Sequence, residues 1–138
     1  MDAGGRTIAV LGTPLDRTYP REHSELQAEI GRKHLLVPQF PPGHPTTRKN
    51  FPRRNRVMAL ISHATVIVEA REGSGCLSQA WEAVRLGRPL FMMRSVLDAE
   101  GLSWPEELLD YGAYVLSDET EDLLPLLPGT GAPLEAIA

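Results

Sequence analysis

Apolar residues gather in five short runs along the chain, separated by stretches in which they recur every three or four positions. Thr7-Ile8-Ala9-Val10-Leu11-Gly12 is the first, nearly continuous and closed by glycine, as in a strand covered on both faces. A second strand runs from His34 to Phe40, with Pro38 removing one ladder donor. Thr65 to Val68, Pro89 to Met93 and Gly112 to Leu116 are the remaining three. Between them the period changes to that of a helix. Residues 21–33 carry Leu26 and Ile30 on one face, and a second helix runs from about Arg54 to Ser62. A third, from about Cys76 to Leu86, places Leu77, Ala80, Trp81 and Val84 on one stripe, with Gly87 at its C′ position. A short helix spans Trp104 to Leu109. A last, acidic one starts at Glu119 behind a Ser117 or Asp118 cap and ends near Leu124, before Pro125.

Strand and helix alternate with short connections. That order predicts an α/β fold: a Rossmann-like three-layer sandwich around a mostly parallel sheet of about five strands. Residues 1–127 read as one such domain, and the Gly- and Pro-bearing residues 128–138 as a flexible tail. With 42% hydrophobic and 23% charged residues, the 138-residue chain has an ordinary globular composition. The single cysteine, Cys76, allows no internal disulfide, as expected of a cytoplasmic protein. No apolar run is long enough to span a bilayer, and the N-terminus lacks the apolar core of a signal peptide, so no membrane partner is expected.

Charge changes the picture. The net charge is -4, yet from Arg48 to Arg56 the chain carries Arg48, Lys49, Arg53, Arg54 and Arg56 and no acidic residue. Ligands of such sheets bind outside the carboxyl ends of the strands, where this stretch falls. The Gly73-Ser74-Gly75 turn belongs to the same predicted rim, as do Gly12, Thr13, Glu69 and the Arg94-Ser95 segment. Free N–H groups at a helix start favour anions, so charge and topology together predict a phosphate site. Phe51 reads equally as a base-stacking ring or as a core staple. Asn55 reads as a contact to a base edge or phosphate, or as a tie within its own loop. Gly73-Ser74-Gly75 lacks the lysine of a Walker loop and reads alternatively as a plain structural turn. His23, His34, His44 and His63 show no metal-ligand spacing, and no base motif accompanies Cys76. No catalytic residue, metal or cofactor is expected.

Several of these residues fall in a family pattern. Gly5 to Gly12, Leu15-Asp16, Tyr19-Pro20, Phe51-Pro52-x-Arg54-Asn55-Arg56, Val68-Glu69-Ala70, Ser74-Gly75-x-Leu77, Ala80 and Gly87-Arg88 resemble the Rossmann-like domain of the DNA-processing protein A (DprA/Smf) family. The Phe-Pro-x-Arg-Asn-Arg element is the specific part. The resemblance spans roughly residues 5 to 127. It implies a protein that binds single-stranded DNA, forms dimers and hands the strand to the RecA recombinase in natural transformation. It implies phosphate contacts by Arg54 and Arg56. The family domain also has an earlier strand and a Gly-Ser-Arg loop. A second copy or a partner chain is therefore expected to cover the incomplete sheet.

More distantly the chain resembles the LOG (lysine-decarboxylase-like) group of nucleoside monophosphate phosphoribohydrolases. There the motif threonine falls on Cys76 and the catalytic glutamate on Gln79, an amide that cannot replace the carboxylate. Two functions therefore stand side by side. The first is single-stranded DNA binding through phosphates, by Arg48, Lys49, Phe51, Arg53, Arg54, Asn55, Arg56, Gly73, Ser74 and Gly75. The alternative is a mononucleotide binder or hydrolase near Gly12, Thr13 and the glycine turn.

Overall fold

The computed structural model describes residues 4–117 together with Leu123 and Leu127. Leu123 apart, the expected helix from Glu119 to Leu124 lies outside the described residues, as does the tail 128–138. Two compact units divide between Met58 and Ala59.

The first unit begins with β1 (Ile8–Leu11). A 3-10 turn over Arg21–His23 leads into α1 (Ser24–Lys33), then β2 (Leu35–Pro38) and most of α2 (Asn50–Ile61). The strands pair in parallel, with Ile8 opposite Leu35 and Val10 opposite Val37. β2 stops at Pro38 rather than reaching Phe40, where the ladder would need the N–H that proline lacks. α1 continues through Gly31 without a break. A Cβ there would lie 3.1 Å from Leu36 Cδ1, so the glycine lets the helix lie close to the strand. Along β1 and β2, Ile8 and Leu35 are exposed at 57% and 51%, while Val10 is buried. The pair forms an apolar spot on one sheet face.

The second unit contains β3 (Thr65–Ile67), α3 (Cys76–Arg85), β4 (Leu90–Met93), α4 (Arg94–Leu97), α5 (Pro105–Asp110) and β5 (Tyr114–Leu116). β4 lies between β3 and β5, parallel to both. Leu90, Phe91 and Met92 are buried in succession, as a central strand covered on both faces requires. Leu90 and Met92 join Ile67, Ala80, Val96, Trp104 and Leu108 in the core, and Leu77, Trp81 and Val84 of α3 pack against it. The stripe read from the sequence is thus the buried face of α3. Arg94-Ser95, expected as rim loop, instead opens the single helical turn α4.

Two helices of this unit end in the same way. At α3, Gly87 adopts φ +63°. Its N–H bonds to Val84 O at 3.0 Å, and the Arg88 N–H bonds to Ala83 O at 2.9 Å. At α5, Gly112 has φ +86° and bonds to Leu109 O at 2.9 Å, and Ala113 bonds to Leu108 O at 3.0 Å. Both are Schellman closures, which turn the chain straight from helix into β4 or β5.

Five strands and uniformly parallel pairing agree with the α/β, Rossmann-like expectation. The five are divided into one sheet of two strands and one of three.

Candidate nucleic-acid interface

The loop after β1 is fixed before any charge is considered. Gly12, Thr13 and Pro14 are buried. The Thr13 hydroxyl donates to Arg17 O at 2.9 Å, Gln27 Nε2 donates to the same oxygen at 3.5 Å, and the Arg17 N–H bonds to Pro14 O at 3.2 Å. Thr13 thus serves the loop itself.

The basic stretch enters α2 earlier than its sequence indicates. The helix starts at Asn50, not Arg54, so Phe51 to Arg56 are helical. Asn50 explains the difference. It is 2% exposed, accepts from the Thr47 hydroxyl at 2.8 Å and donates through Nδ2 to Pro45 O at 3.1 Å. These bonds tie the incoming loop to the helix start. Pro52 falls in the first turn, where its missing N–H has no partner to lose. Replacing Asn50 by alanine leaves the Pro45 carbonyl without its donor. The expected cost is about 1–3 kcal/mol in urea unfolding, with the basic turn loosened as well.

The first turns of α2 sort the cationic side chains by direction. Arg54 points inward. Its Nε donates to Asn55 Oδ1 at 2.9 Å, its Nη1 donates to Val10 O of β1 at 3.1 Å, and its guanidinium lies 5.9 Å from the Phe51 ring centroid. Burial pushes its pKa below the usual arginine value, because the charged form loses hydration. Asn55 is 8% exposed and accepts the Arg54 bond, which favours the local tie over a base contact. Phe51 packs over Gly12, where a built Cβ would lie 2.8 Å from the Phe51 ring, and its centroid is 5.6 Å from that of Tyr19. The ring is therefore held from below by Gly12 and flanked by an arginine and a tyrosine. Arg48, Lys49 and Arg53 are exposed. Arg56 is exposed as well, and is engaged in an interaction of its own.

Beside this ring lies a cavity of about 180 Å³, with Gly12, Thr13, Tyr19, Gln27, Phe51 and Arg54 in its wall. It opens at the carboxyl end of β1, the edge at which ligands of parallel sheets bind.

The glycine turn belongs to the second unit. Gly73 has φ +73°, which the turn needs. The Ser74 N–H bonds to Arg71 O at 3.0 Å, and Ser74 Oγ accepts from the Cys76 N–H at 3.3 Å and shares a short hydrogen bond with Cys76 Sγ. Gly75 is engaged too. Most of this turn's polar groups therefore have local partners. Glu69 pairs with Arg71 at 3.9 Å, both more than 80% exposed, a contact of little energetic weight. Gln79 donates to the Thr65 hydroxyl at 3.4 Å. Among the described residues, no group of three or more His, Cys, Asp or Glu side chains is placed to hold a metal ion, and no helix is long and apolar enough to cross a membrane.

Sequence reasoning located the cationic stretch but missed Asn50 and Tyr19. The Thr47-x-x-Asn50 spacing, a hydroxyl three residues before an amide at a helix start, is the signal that could have found Asn50. Tyr19 entered with Pro20 as part of the family pattern, and nothing local announces its contact with Phe51.

Comparison with known proteins bears on the whole chain. The family described as DNA recombination-mediator protein A matches residues 1–128. The Smf protein of Synechocystis sp. is 37% identical over 88% of this chain and 31% of its own length. The DNA processing protein DprA of Streptococcus pneumoniae is 41% identical over 72% of the chain and 35% of its own length. The chain thus spans about a third of these relatives. Among solved structures, DprA from Streptococcus pneumoniae superposes with a TM-score of 0.79 at 31% identity, over 93% of this chain and 45% of that one. DNA processing protein A from Helicobacter pylori, whose structure was described for its unique single-stranded DNA binding mode, superposes with a TM-score of 0.70 at 25% identity, over 92% and 60%. A match that covers all but the last ten residues places this chain in the DNA recombination-mediator protein A family.

Proposed function

We propose that the chain binds single-stranded DNA through its phosphates, in the cytoplasm, as part of DNA processing and recombination during natural transformation. One observation carries the reading. Arg54 and Asn50 anchor the start of α2 from within, and Arg48, Lys49 and Arg53, which flank Phe51 in sequence, are left exposed. Exposed cations beside a stackable ring are what a flexible anionic strand needs, without base-specific contacts. The description of the Helicobacter pylori relative supports the same ligand. Arg54 and Asn55 act here as the frame and Arg48, Lys49 and Arg53 as the phosphate contacts, with Arg56 beside them. In the second unit, the Gly73-Ser74-Gly75 turn is the other candidate phosphate contact. Neither a cofactor nor a catalytic group is needed.

The test is fluorescence anisotropy of a labelled oligothymidylate across a salt series. The triple variant Arg48→Ala, Lys49→Ala, Arg53→Ala is expected to bind more weakly, and its log-affinity slope against log salt should fall by about 2, at roughly 0.7 per phosphate contact. An unchanged slope in a folded triple variant would remove these residues from the site.

A second reading, a mononucleotide, draws on the cavity beside Gly12 and Thr13. Calorimetric titration with nucleoside monophosphates tests it, and release of free base would establish a hydrolase. The exposed Ile8 and Leu35 support the expectation that a second copy or a partner chain covers this sheet face. RecA is the proposed recipient of the strand.

A further inference from the structure

A second groove lies in the first unit, with a volume of about 540 Å³. It is distinct in character from the cavity beside Phe51, but the two share Thr18 and Tyr19 as wall. Arg17 and Arg21 line it, and both are exposed. Asp16 is its only carboxylate, so the groove carries a net positive charge. Among the described residues neither arginine is part of an ion pair. Thr18, Ser24 and Thr46 contribute hydroxyls. The Thr46 hydroxyl oxygen is buried with no hydrogen-bond partner among the described residues, an uncommon state for a buried polar atom.

We propose that this groove is a second phosphate subsite, in which Arg17 and Arg21 hold the backbone of a single DNA strand beyond the stretch held by Arg48, Lys49 and Arg53. The inference rests on the single-stranded DNA reading above. Three observations carry it. The backbone that presents Arg17 is tied down, because the Thr13 hydroxyl donates to its carbonyl oxygen at 2.9 Å and Gln27 Nε2 approaches the same oxygen at 3.5 Å. Thr18 and Tyr19 line both the groove and the cavity at Phe51, so the two sites are adjacent. Thr46 lies two residues before Arg48, and the groove therefore borders the loop that delivers the basic turn. Asp16 sets the polarity of the groove. A phosphate is attracted by the two guanidinium groups and repelled by the carboxylate.

The experiment compares two oligothymidylates, one of roughly 20 nucleotides and one of only three, the short one being below the span of an ordinary single-strand site. For the longer strand, the double variant Arg17→Gln, Arg21→Gln is expected to lower the salt slope by about 1.4, two contacts at roughly 0.7 each, and to weaken binding about tenfold at low salt. Binding of the trinucleotide should be unchanged. The variant Arg17→Lys, Arg21→Lys keeps both charges and should keep the slope, which separates loss of charge from loss of fold. An unchanged slope for the long strand in the glutamine variant would overturn the subsite. So would an equal loss for the trinucleotide, since the two sites would then be one. Wild-type protein that binds neither strand would overturn the parent reading and the subsite with it, a result visible without any variant.

Discussion

Gly12→Ala should destabilise this protein and weaken its binding of DNA together. The Gly12 backbone is not among the positive-φ glycines, so alanine is conformationally admissible there. The cost is contact alone. The new Cβ would meet Phe51 Cδ1 at 2.8 Å and Cε1 at 2.9 Å, closer than real Cβ contacts come. The ring cannot retreat cheaply, with Tyr19 on one side and Arg54 on another. Overpacking of this kind destabilises by about 1–3 kcal/mol. Displacing Phe51 also pulls Arg54 from Val10 O, so DNA affinity should fall by about tenfold or more, equivalent to roughly 1.4 kcal/mol. A double-mutant cycle checks the mechanism. In a Phe51→Ala background the Gly12→Ala change should be nearly neutral, because the clash has gone. If the two substitutions add instead, the glycine is required for some reason other than room for the ring.

The second large effect concerns Arg54. Arg54→Ala removes two charge-assisted hydrogen bonds, one across 44 positions of sequence to β1. Each such bond contributes about 1.5–3 kcal/mol, and the Val10 carbonyl is left without that donor. We expect a loss of about 2–4 kcal/mol in urea unfolding, read at single-probe resolution in the first unit. Arg54→Lys should recover little of it, because an ammonium cannot reproduce the planar fork that reaches both acceptors. The salt series then separates frame from contact. Affinity should drop in Arg54→Ala while the salt slope of the remaining folded protein stays near wild type. In Arg53→Ala, stability should stay while the slope falls by about 0.7. A slope change in Arg54→Ala as large as that in Arg53→Ala would show that Arg54 touches phosphate directly.

These two residues show where the sequence could be read and where it could not. The strands and α3 were legible because burial imposes a period that survives in one dimension. Val10, Phe91 and Met92 are buried within the apolar runs that announced them, and Leu77, Trp81 and Val84 all pack on the core. Gly87 signals the positive φ of a C′ position, whereas Gly112, read as the first residue of the last strand, instead closes α5 with φ +86° ahead of β5. The basic stretch was legible as charge, but charge has no direction in a sequence. That Arg54 points inward and Arg53 outward depends on where α2 starts, and Asn50 decides this through bonds to Thr47 and Pro45. Asparagine and proline at that point read locally as a turn, which is why the helix was expected four residues later. The Arg94 to Leu97 turn of helix is too short to show any period. Arg17 and Arg21 were invisible as a pair, since Asp16 and Glu22 next to them cancel the local charge and only the fold brings them to one groove.

The ties that hold the basic turn are mainly neutral. Asn50 bonds to a hydroxyl and to a carbonyl, and the loop before it closes through its own backbone at Asn50 to Thr47 O and Phe51 to Arg48 O. Hydrogen bonds between uncharged groups are insensitive to ionic strength, so the turn keeps its shape in high salt while its attraction for an anion fades. Its ordering entropy is met when the protein folds, not when the strand arrives. On the proposed reading, an encounter with DNA would find the backbone that carries the cations already ordered. Ionic strength should act on how often strands arrive, and the aromatic pair at Phe51 and Tyr19 on how long they stay.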